Sequence, residues 1–334
     1  MSLPALEITA VICAYTEKRW DQLVAAVSSL QAQSVAPQEL IIVIDHNSAL
    51  YDHARHTFAG VTIVENTEQK GLSGARNTAI RIARGNIIAF MDEDAVASRD
   101  WIATLTRMYA DNHIIGVGGA ILPIWQTGKP AWFPDEFLWV VGCTYKGMPE
   151  SPTQVRNMIG CNMSFRSSVF STVGNFRNDI GRVGTRPVGC EETELCIRAR
   201  QSSTEAQIIY EPRAIVHHHV PAARSTWAYY RSRCYSEGMS KALVSRYVGT
   251  RDGLASERTY ALQTLPSAIL HDVADTFDKR SLNGLRQAGA IVLGLLFTGT
   301  GYIAGSLTLS AGNLIQRLDR RAAASQPQTP RLGK

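Results

Sequence analysis

What the chain has little of narrows the field first. It carries six cysteines, at positions 13, 143, 161, 190, 196 and 234, and no two form a C-x-x-C pair, so thiol-based zinc and dithiol redox motifs are excluded. No secretory-type apolar leader precedes the first strand signal, and with scattered cysteines this predicts reduced, mostly buried thiols in a cytoplasmic setting. Charge is sparse as well: 19% of residues are Asp, Glu, Lys or Arg, with a net charge of +5. Nothing resembles the basic stripe of a nucleic-acid binder, so no nucleic-acid partner is expected, whereas a phosphate-rich ligand or an anionic membrane is permitted. There is no internal repeat, and low complexity is confined to the polar, proline-bearing tail Ala322–Lys334, which is expected to be disordered. Neither a P-loop nor a G-x-G-x-x-G fingerprint is present, so the common nucleotide motifs do not apply.

What is there begins as alternating strand and helix. Ile8–Cys13 is an apolar, β-rich run, followed by Trp20, Leu23, Val24, Val27 and Leu30 at helical spacing and by a second apolar run at Leu40–Ile44. Val61–Val64 supplies a third short strand, Ser73–Arg84 a helix with Ser73 as its N-cap, and Asn86–Met91 a fourth strand that ends in acid. Continuous apolar strands are those buried on both faces, so the expected fold class is α/β, with an open, mostly parallel sheet flanked by helices. From roughly 120 to 215 the pattern loosens into Gly-, Pro- and Trp-rich segments that read as substrate-facing loops. Between Arg286 and Arg317 there is no charged residue. That run is long enough to span a bilayer, although its glycines at 289, 294, 299, 301 and 305 also suit close helix packing or a shallow hairpin, and a buried soluble helix stays open. Before it, Tyr260, Leu262, Leu265, Ile269, Leu270 and Val273 leave an apolar face suited to a membrane surface.

Ligands of open α/β sheets bind beyond the carboxyl ends of the strands. Those ends are polar in order: Ala14-Tyr15-Thr16-Glu17, Asp45-His46-Asn47-Ser48 and Asp92-Glu93-Asp94. One acid after a strand is ordinarily a turn former, but three in succession point to a ligand. Asp92 and Asp94, one residue apart, can jointly hold a hard divalent cation whose coordination a diphosphate completes. Glu191-Glu192-Thr193-Glu194 reads as the first turn of a helix, where acids favour the dipole and where one carboxylate can serve as a general base. Lys70-Gly71-Leu72-Ser73-Gly74-Ala75-Arg76-Asn77 places glycines and cations at a helix start, a usable phosphate cradle. His217-His218-His219 can offer an imidazole ligand, but three adjacent side chains cannot all converge on one ion.

Taken in order, these motifs resemble the family 2 glycosyltransferases with the GT-A fold: Val11–Thr16, Val43–Asn47, Gly71–Asn77, Phe90–Ala95, Gly160-Cys161-Asn162-Met163-Ser164-Phe165 and Glu191–Leu195, covering about residues 6 to 245. The resemblance implies a GT-A domain over 1–245, with a nucleotide-binding half at 1–120 and an acceptor-binding half at 121–245. A helical, membrane-prone extension at 246–316 and a basic tail at 317–334 would follow it. It implies a nucleotide-sugar donor, UDP by family habit, bordered by Ala14, Tyr15 and Glu17, with Asp45 on the base and Arg76 on the ribose or diphosphate. Asp92 and Glu93 would belong to the donor-binding residues, and Asp92 and Asp94, with Asp94 favoured as the direct ligand, would hold Mn²⁺ or Mg²⁺. The family base falls on Glu192, where Glu replaces the usual Asp, so Glu191 remains a rival. Within Val216–Arg224, His218 would be a metal or diphosphate ligand and Arg224 would hold the donor. The implied chemistry is inverting displacement onto a glycan or lipid-linked acceptor, at the cytoplasmic face of a membrane, with Trp132, Phe133 and Trp139 as sugar-stacking or acceptor-loop residues. A nucleotidyltransferase is the alternative enzyme, disfavoured because no glycine follows the first strand. A catalytically silent scaffold in a polysaccharide assembly is the alternative outside enzymes.

Overall fold

The computed structural model describes residues 6–181, 189–254, 257, 260–278 and 281–324. Parallel strands β1 (Ile8–Ala14) and β2 (Glu39–Ile44) are joined through helix α1 (Trp20–Gln31). Helix α2 (Ser48–Thr57) leads to β3 (Thr62–Glu65), and α3 (Leu72–Ile82) leads to β4 (Ile87–Asp92), which lies on the far side of β1. Strand alternation decides which helix each residue meets. Ala10, Ile12, Ile42 and Ile44 share a core with Leu23, Val27 and Leu30 of α1 and Leu50 of α2. Val11, Ile41 and Val43 share one with Ala75 and Ala79 of α3. Burial on both faces is why these strands read as unbroken apolar runs. The sheet runs β3-β2-β1-β4, so strand order reverses beside β1, and the crevice at its carboxyl end is where such sheets take ligands.

Strand β5 (Ala95–Ala97), helix α4 (Trp101–Met108) and strands β6 (Ile114–Trp125), β7 (Thr153–Gln154) and β8 (Asn162–Arg166) follow, then α5 (Ser167–Val173), α6 (Glu191–Gln201) and β9 (Gln207–Val220). They extend the sheet to β3-β2-β1-β4-β8-β6-β9-β5, with β7 on β9. The first four strands are parallel as expected, whereas β8 runs antiparallel to β4 and β6, and β5 and β7 antiparallel to β9. The glycine-rich stretch near 120 is thus partly strand rather than loop. Its register on β9 breaks between Gly119 and Ile121, and Asn162 fills the break. The Asn162 amide donates to the Ala120 and Ala214 carbonyls (2.9 and 2.8 Å), while Trp101 Nε1 donates to Asn162 Oδ1 at 2.8 Å. A Cβ at Gly119 would collide with the Ala214 carbonyl, so only glycine admits this approach.

Among the described residues the chain closes with α7 (Trp227–Val248), the short α8 (Thr250–Gly253), a π-helical turn at Tyr260–Thr264, α9 (Leu265–Asp278) and α10 (Asn283–Ala324). The uncharged run is one continuous helix, not a hairpin. It is also the single helix among the described residues, over Asn283–Leu309, long and apolar enough to cross a membrane by length and composition. Its glycines divide by face. A Cβ at Gly301 would strike the Tyr235 carbonyl, one at Gly294 Phe137 and Tyr230, and one at Gly305 Ala242, whereas Gly289 and Gly299 face open space. Gly238 of α7 meets the Thr298 carbonyl in turn, so α7 and α10 touch backbone to backbone. Helix α9 turns Leu265 and Ala268 inward and leaves Leu270 exposed, as is Leu262 just before it. The expected tail is helical as far as Ala324, and the rest of it lies outside the described residues.

Candidate active site

Beyond β4 the chain turns through Glu93 and Asp94 into β5, which pairs with β9 so that Ala95 stands opposite His218. Alternation along β9 buries His218, 3% exposed, and leaves His217 and His219 half-buried on the other face, so one imidazole of the three reaches the site. Asp94 Oδ1 lies 3.2 Å from His218 Nε2, and Asp94 Oδ2 lies 3.1 Å from Arg19 Nη1 and 3.9 Å from Arg224 Nη2. Arg224 sits on the 3₁₀ turn Ala222–Ser225 after β9, with Nη1 3.4 Å from His218 Nε2. Cys143 Sγ lies 3.7 Å from His218 Nδ1.

The acids of this turn are driven apart electrostatically. Burial disfavours the charge on Asp94, but His218, Arg19 and Arg224 together outweigh it and hold the carboxyl far below the usual range. Burial pushes Glu93 up to about 8, against the pull of Arg19 and with Asp94 adding repulsion. Glu93 accepts from Arg19 Nη1 at 2.9 Å and from the Tyr15 amide at 3.2 Å, so it ties the turn after β1 to the turn after β4. Asp92, with a third of its side chain exposed, stands 3.6 Å from Arg76 Nη2.

Arg76 carries the link to the second acidic cluster. It is buried at 2% exposure on the first turns of α3, donating from Nη1 to Glu191 Oε1 at 2.8 Å and from Nη2 to the Gly160 carbonyl at 3.1 Å. Three segments distant in sequence are thereby pinned around one guanidinium, which places the Asp92–Asp94 turn and the start of α6 on a common site. Helix α6 starts after Cys190, whose φ of +75° is left-handed. Cys190 Sγ donates to Glu237 Oε1 at 3.3 Å, and the Gly189 amide donates to Ser240 Oγ at 3.2 Å, so α7 holds this strained entrance. The adjacent glutamates then differ. Glu191 is committed to Arg76 through Oε1, while its Oε2 is buried without a hydrogen-bond partner among the described residues. Glu192 is half-buried and braced by its own backbone amide. Burial first, then repulsion from Glu191, pushes its carboxyl up to about 8 despite Arg76.

The residues expected at the base are distributed unevenly. The Ala14 methyl is in the core and its carbonyl accepts from the Asp45 amide at 2.7 Å, so Ala14 can border a ligand through backbone alone. Tyr15 is exposed, with the Arg19 guanidinium 5.4 Å from its ring centroid, and exposed Glu17 accepts from Asn47 Nδ2 at 3.2 Å. Asp45 Oδ1 takes Asn66 Nδ2 at 2.7 Å and faces His46 Nδ1 at 3.0 Å, while Oδ2 takes the Gly71 amide at 3.0 Å. The Lys70–Asn77 segment departs from expectation in two ways. Gly71, at φ +129°, rather than Ser73, caps α3, because Ser73 Oγ is spent on the Ile180 carbonyl at 2.7 Å. Arg76 is enclosed by protein groups, not free over a ribose. Phe133 is fully buried and so cannot stack on a sugar, and Trp132 and Trp139 are partly buried in the same aromatic cluster with Trp227 and Tyr230.

Sequence reasoning missed Arg19, Glu237 and Cys143. A cation following the acid of the first turn was a usable signal for Arg19. Glu237 and Cys143 carry none, since only packing brings them to Cys190 and His218. All six cysteines are free thiols.

Asp94 Oδ1 and His218 Nε2 are a hard carboxylate and an imidazole at one point, a donor pair that fits a divalent cation. Among the described residues no group of three or more His, Cys, Asp or Glu side chains converges, so two protein donors would leave the other positions to diphosphate oxygens and water.

The chain resembles known glycosyltransferases in sequence and in fold. The model of "Glycosyl transferase family 2" matches residues 9–174. The chain is 31% identical over 317 residues, 93% of its length and 99% of the relative's, to the glucosyl-dolichyl phosphate glucuronosyltransferase of Haloferax volcanii. It is 24% identical over 244 residues to the succinoglycan biosynthesis protein ExoM of Rhizobium meliloti, covering 70% of this chain and 74% of that one. Among solved structures, a mannosyltransferase from Pyrobaculum calidifontis in complex with GDP-Man and Mn²⁺ superposes with TM-score 0.54 at 17% identity, over 88% of this chain and 87% of that one. GalNAc-T7 with UDP, GalNAc and Mn²⁺ superposes with TM-score 0.51 at 16% identity, over 75% of this chain and about half (55%) of that one. At such identities the superpositions speak to the fold, which is GT-A.

Proposed function

The chain belongs to glycosyl transferase family 2, and from that membership we propose that it moves a sugar from a uridine-class nucleoside-diphosphate donor to a lipid-linked or other glycan acceptor. We place this reaction, an inverting displacement, at the cytoplasmic face of a membrane. The observation that carries the mechanism is the Arg76 bridge, which ties the Asp92–Asp94 turn to the start of α6. Asp94 and His218 would hold a divalent cation, with Asp92 beside them; when bound, that ion offsets charge on the leaving diphosphate. Arg224 and Arg19 supply fixed positive charge on the same side, and Tyr15 borders the nucleoside. Glu192 takes the proton from the acceptor hydroxyl as its oxygen bonds to the anomeric carbon, while the bond from that carbon to the diphosphate breaks. One candidate base, with no second carboxylate poised as nucleophile among the described residues, suits a single displacement. The lipid-linked acceptor is favoured by the similarity, over nearly the whole chain, to a transferase named for a dolichyl phosphate-linked sugar.

The test is release of nucleoside diphosphate from a panel of UDP- and GDP-sugars with Mn²⁺, followed by transfer to polyprenyl phosphate-linked sugars. Slow donor hydrolysis that is lost with a chelator and in Asp94→Ala is the expected outcome. Equal hydrolysis with and without metal would remove the cation from the mechanism, and retention of configuration in the product would remove the single displacement.

A further inference from the structure

The two faces of α10 have opposite fates. Gly294, Gly301 and Gly305, spaced seven and four residues apart, seal one face onto α7 and the turn at Phe137, and Tyr230 Oη donates to the Ala290 carbonyl at 2.9 Å. The other face carries Leu285, Val292, Leu296, Ile303 and Leu307, between 44% and 66% exposed. Their spacing of 7, 4, 7 and 4 residues keeps them on one line of the helix, about 33 Å long. Gly289 and Gly299 open onto the same space. No charge falls between Arg286 and Arg317; Lys279, Arg280 and Arg286 lie at the start of this stretch and Arg317, Arg320 and Arg321 at its end, with Asp278 and Asp319 among them. A long apolar line without charge, flanked by cations, matches the interior and headgroups of an anionic bilayer.

The partner helix decides how that bilayer is met. Helix α7 carries Arg233, Glu237 and Lys241 in a buried network: Lys241 Nζ lies 3.4 Å from Glu237 and 2.7 Å from Glu257, and Arg156 clamps Glu257 through both nitrogens at 2.6 and 2.7 Å. Such a network does not enter hydrocarbon, and α10 cannot be surrounded by lipid without parting from α7. We propose that α10 is an in-plane anchor, lying lengthwise in one leaflet with its Leu285–Leu307 face among acyl chains and its glycine face on α7, and that this segment does not cross the bilayer.

This deepens the lipid-linked-acceptor reading without needing it, and it puts the site beside the bilayer surface. The 3₁₀ turn Asp135–Val141 connects α10 to the metal-side histidine. Phe137 of that turn meets Gly294, and Cys143 just after it meets His218. On the base side, Cys190, two residues before Glu192, meets Glu237 of α7, and the neighbouring Gly238 meets α10.

Full-length protein with a cleavable tag at each end is expressed, and sealed inverted membrane vesicles are treated with protease. Both tags are expected to be cut while the protein stays with the membrane; protection of either tag overturns the proposal. Purified protein is expected to float with vesicles of phosphatidylcholine and phosphatidylglycerol. The Leu296→Asp/Ile303→Asp variant should float at least about tenfold less, with its thermal unfolding and soluble-donor hydrolysis unchanged. Undiminished flotation of that variant overturns the proposal, as does a solution dimer that the variant dissociates and that binds no vesicle. If the variant fails to fold, the two-tag experiment on the unaltered chain still decides. Absence of donor hydrolysis alongside membrane binding would count against the enzymatic reading alone.

Discussion

Glu191 and Glu192 share one helical turn yet have different work in the proposed mechanism, because different groups touch them. Glu191 neutralises a buried guanidinium, so Glu191→Gln should lower stability by about 3 kcal/mol, the cost of stranding a buried charge, visible as a fall in Tm. Glu192→Gln should instead lower kcat by about 10²–10⁴ while donor binding, read by thermal shift, is kept; the reverse pattern would exchange the two roles. The pH dependence has a definite sign. A base whose folded value stands near 8 must lose its proton to act, so kcat should rise with pH along a limb near 8 rather than near the ordinary 4.5. Stability runs the other way. Between 4.5 and 8 the native state holds a proton that the unfolded chain has released, so the contribution of Glu192 is complete below about pH 4.5 and is lost as pH rises toward 8. Glu192→Gln should therefore be more stable than the unaltered protein at pH 8, with the gap narrowing toward pH 5. Chemical denaturation at both pH values checks this. Asp94 has the opposite sign, since its folded value is depressed: its stabilisation persists at neutral pH and is lost only in strong acid.

At the scale of elements, α7 is the common support. One end of its charged network holds Cys190 at the entrance to α6, and its glycine face carries α10. Gly301→Val forces a side chain into the Tyr235 carbonyl and should cost more than about 2 kcal/mol by denaturant titration. Gly299→Ala, two residues earlier but facing open space, should gain about 0.5–1 kcal/mol from helix propensity. Equal effects at the two positions would contradict the close packing of α7 on α10.

At the scale of the whole molecule, the site exists only where three parts of the chain converge, so ligand binding should be coupled to global stability. A uridine-diphosphate sugar with Mn²⁺ should raise Tm, by an amount that grows with ligand concentration as RT ln(1 + [L]/Kd). The rise should vanish in Asp94→Ala. A larger rise with guanosine-diphosphate sugars would reverse the choice of nucleotide while leaving the site intact.

The sequence alone determined the parallel opening of the sheet, because strands buried on both faces must be apolar throughout. It determined the acids after β1, β2 and β4 and the start of α6 too, because turn chemistry and helix dipoles are local. It could not decide which of His217, His218 and His219 faces Asp94, since that depends on how β9 pairs with β5. Nor could it show that Arg76 is consumed by Glu191 and the Gly160 carbonyl, or that Arg19 clamps Glu93 and Asp94, because these contacts join residues more than 70 positions apart. The glycines of the uncharged run posed the same problem. Their spacing permits several arrangements, and only the seating of α10 on α7 separates a face that must stay small from one left open to solvent or lipid.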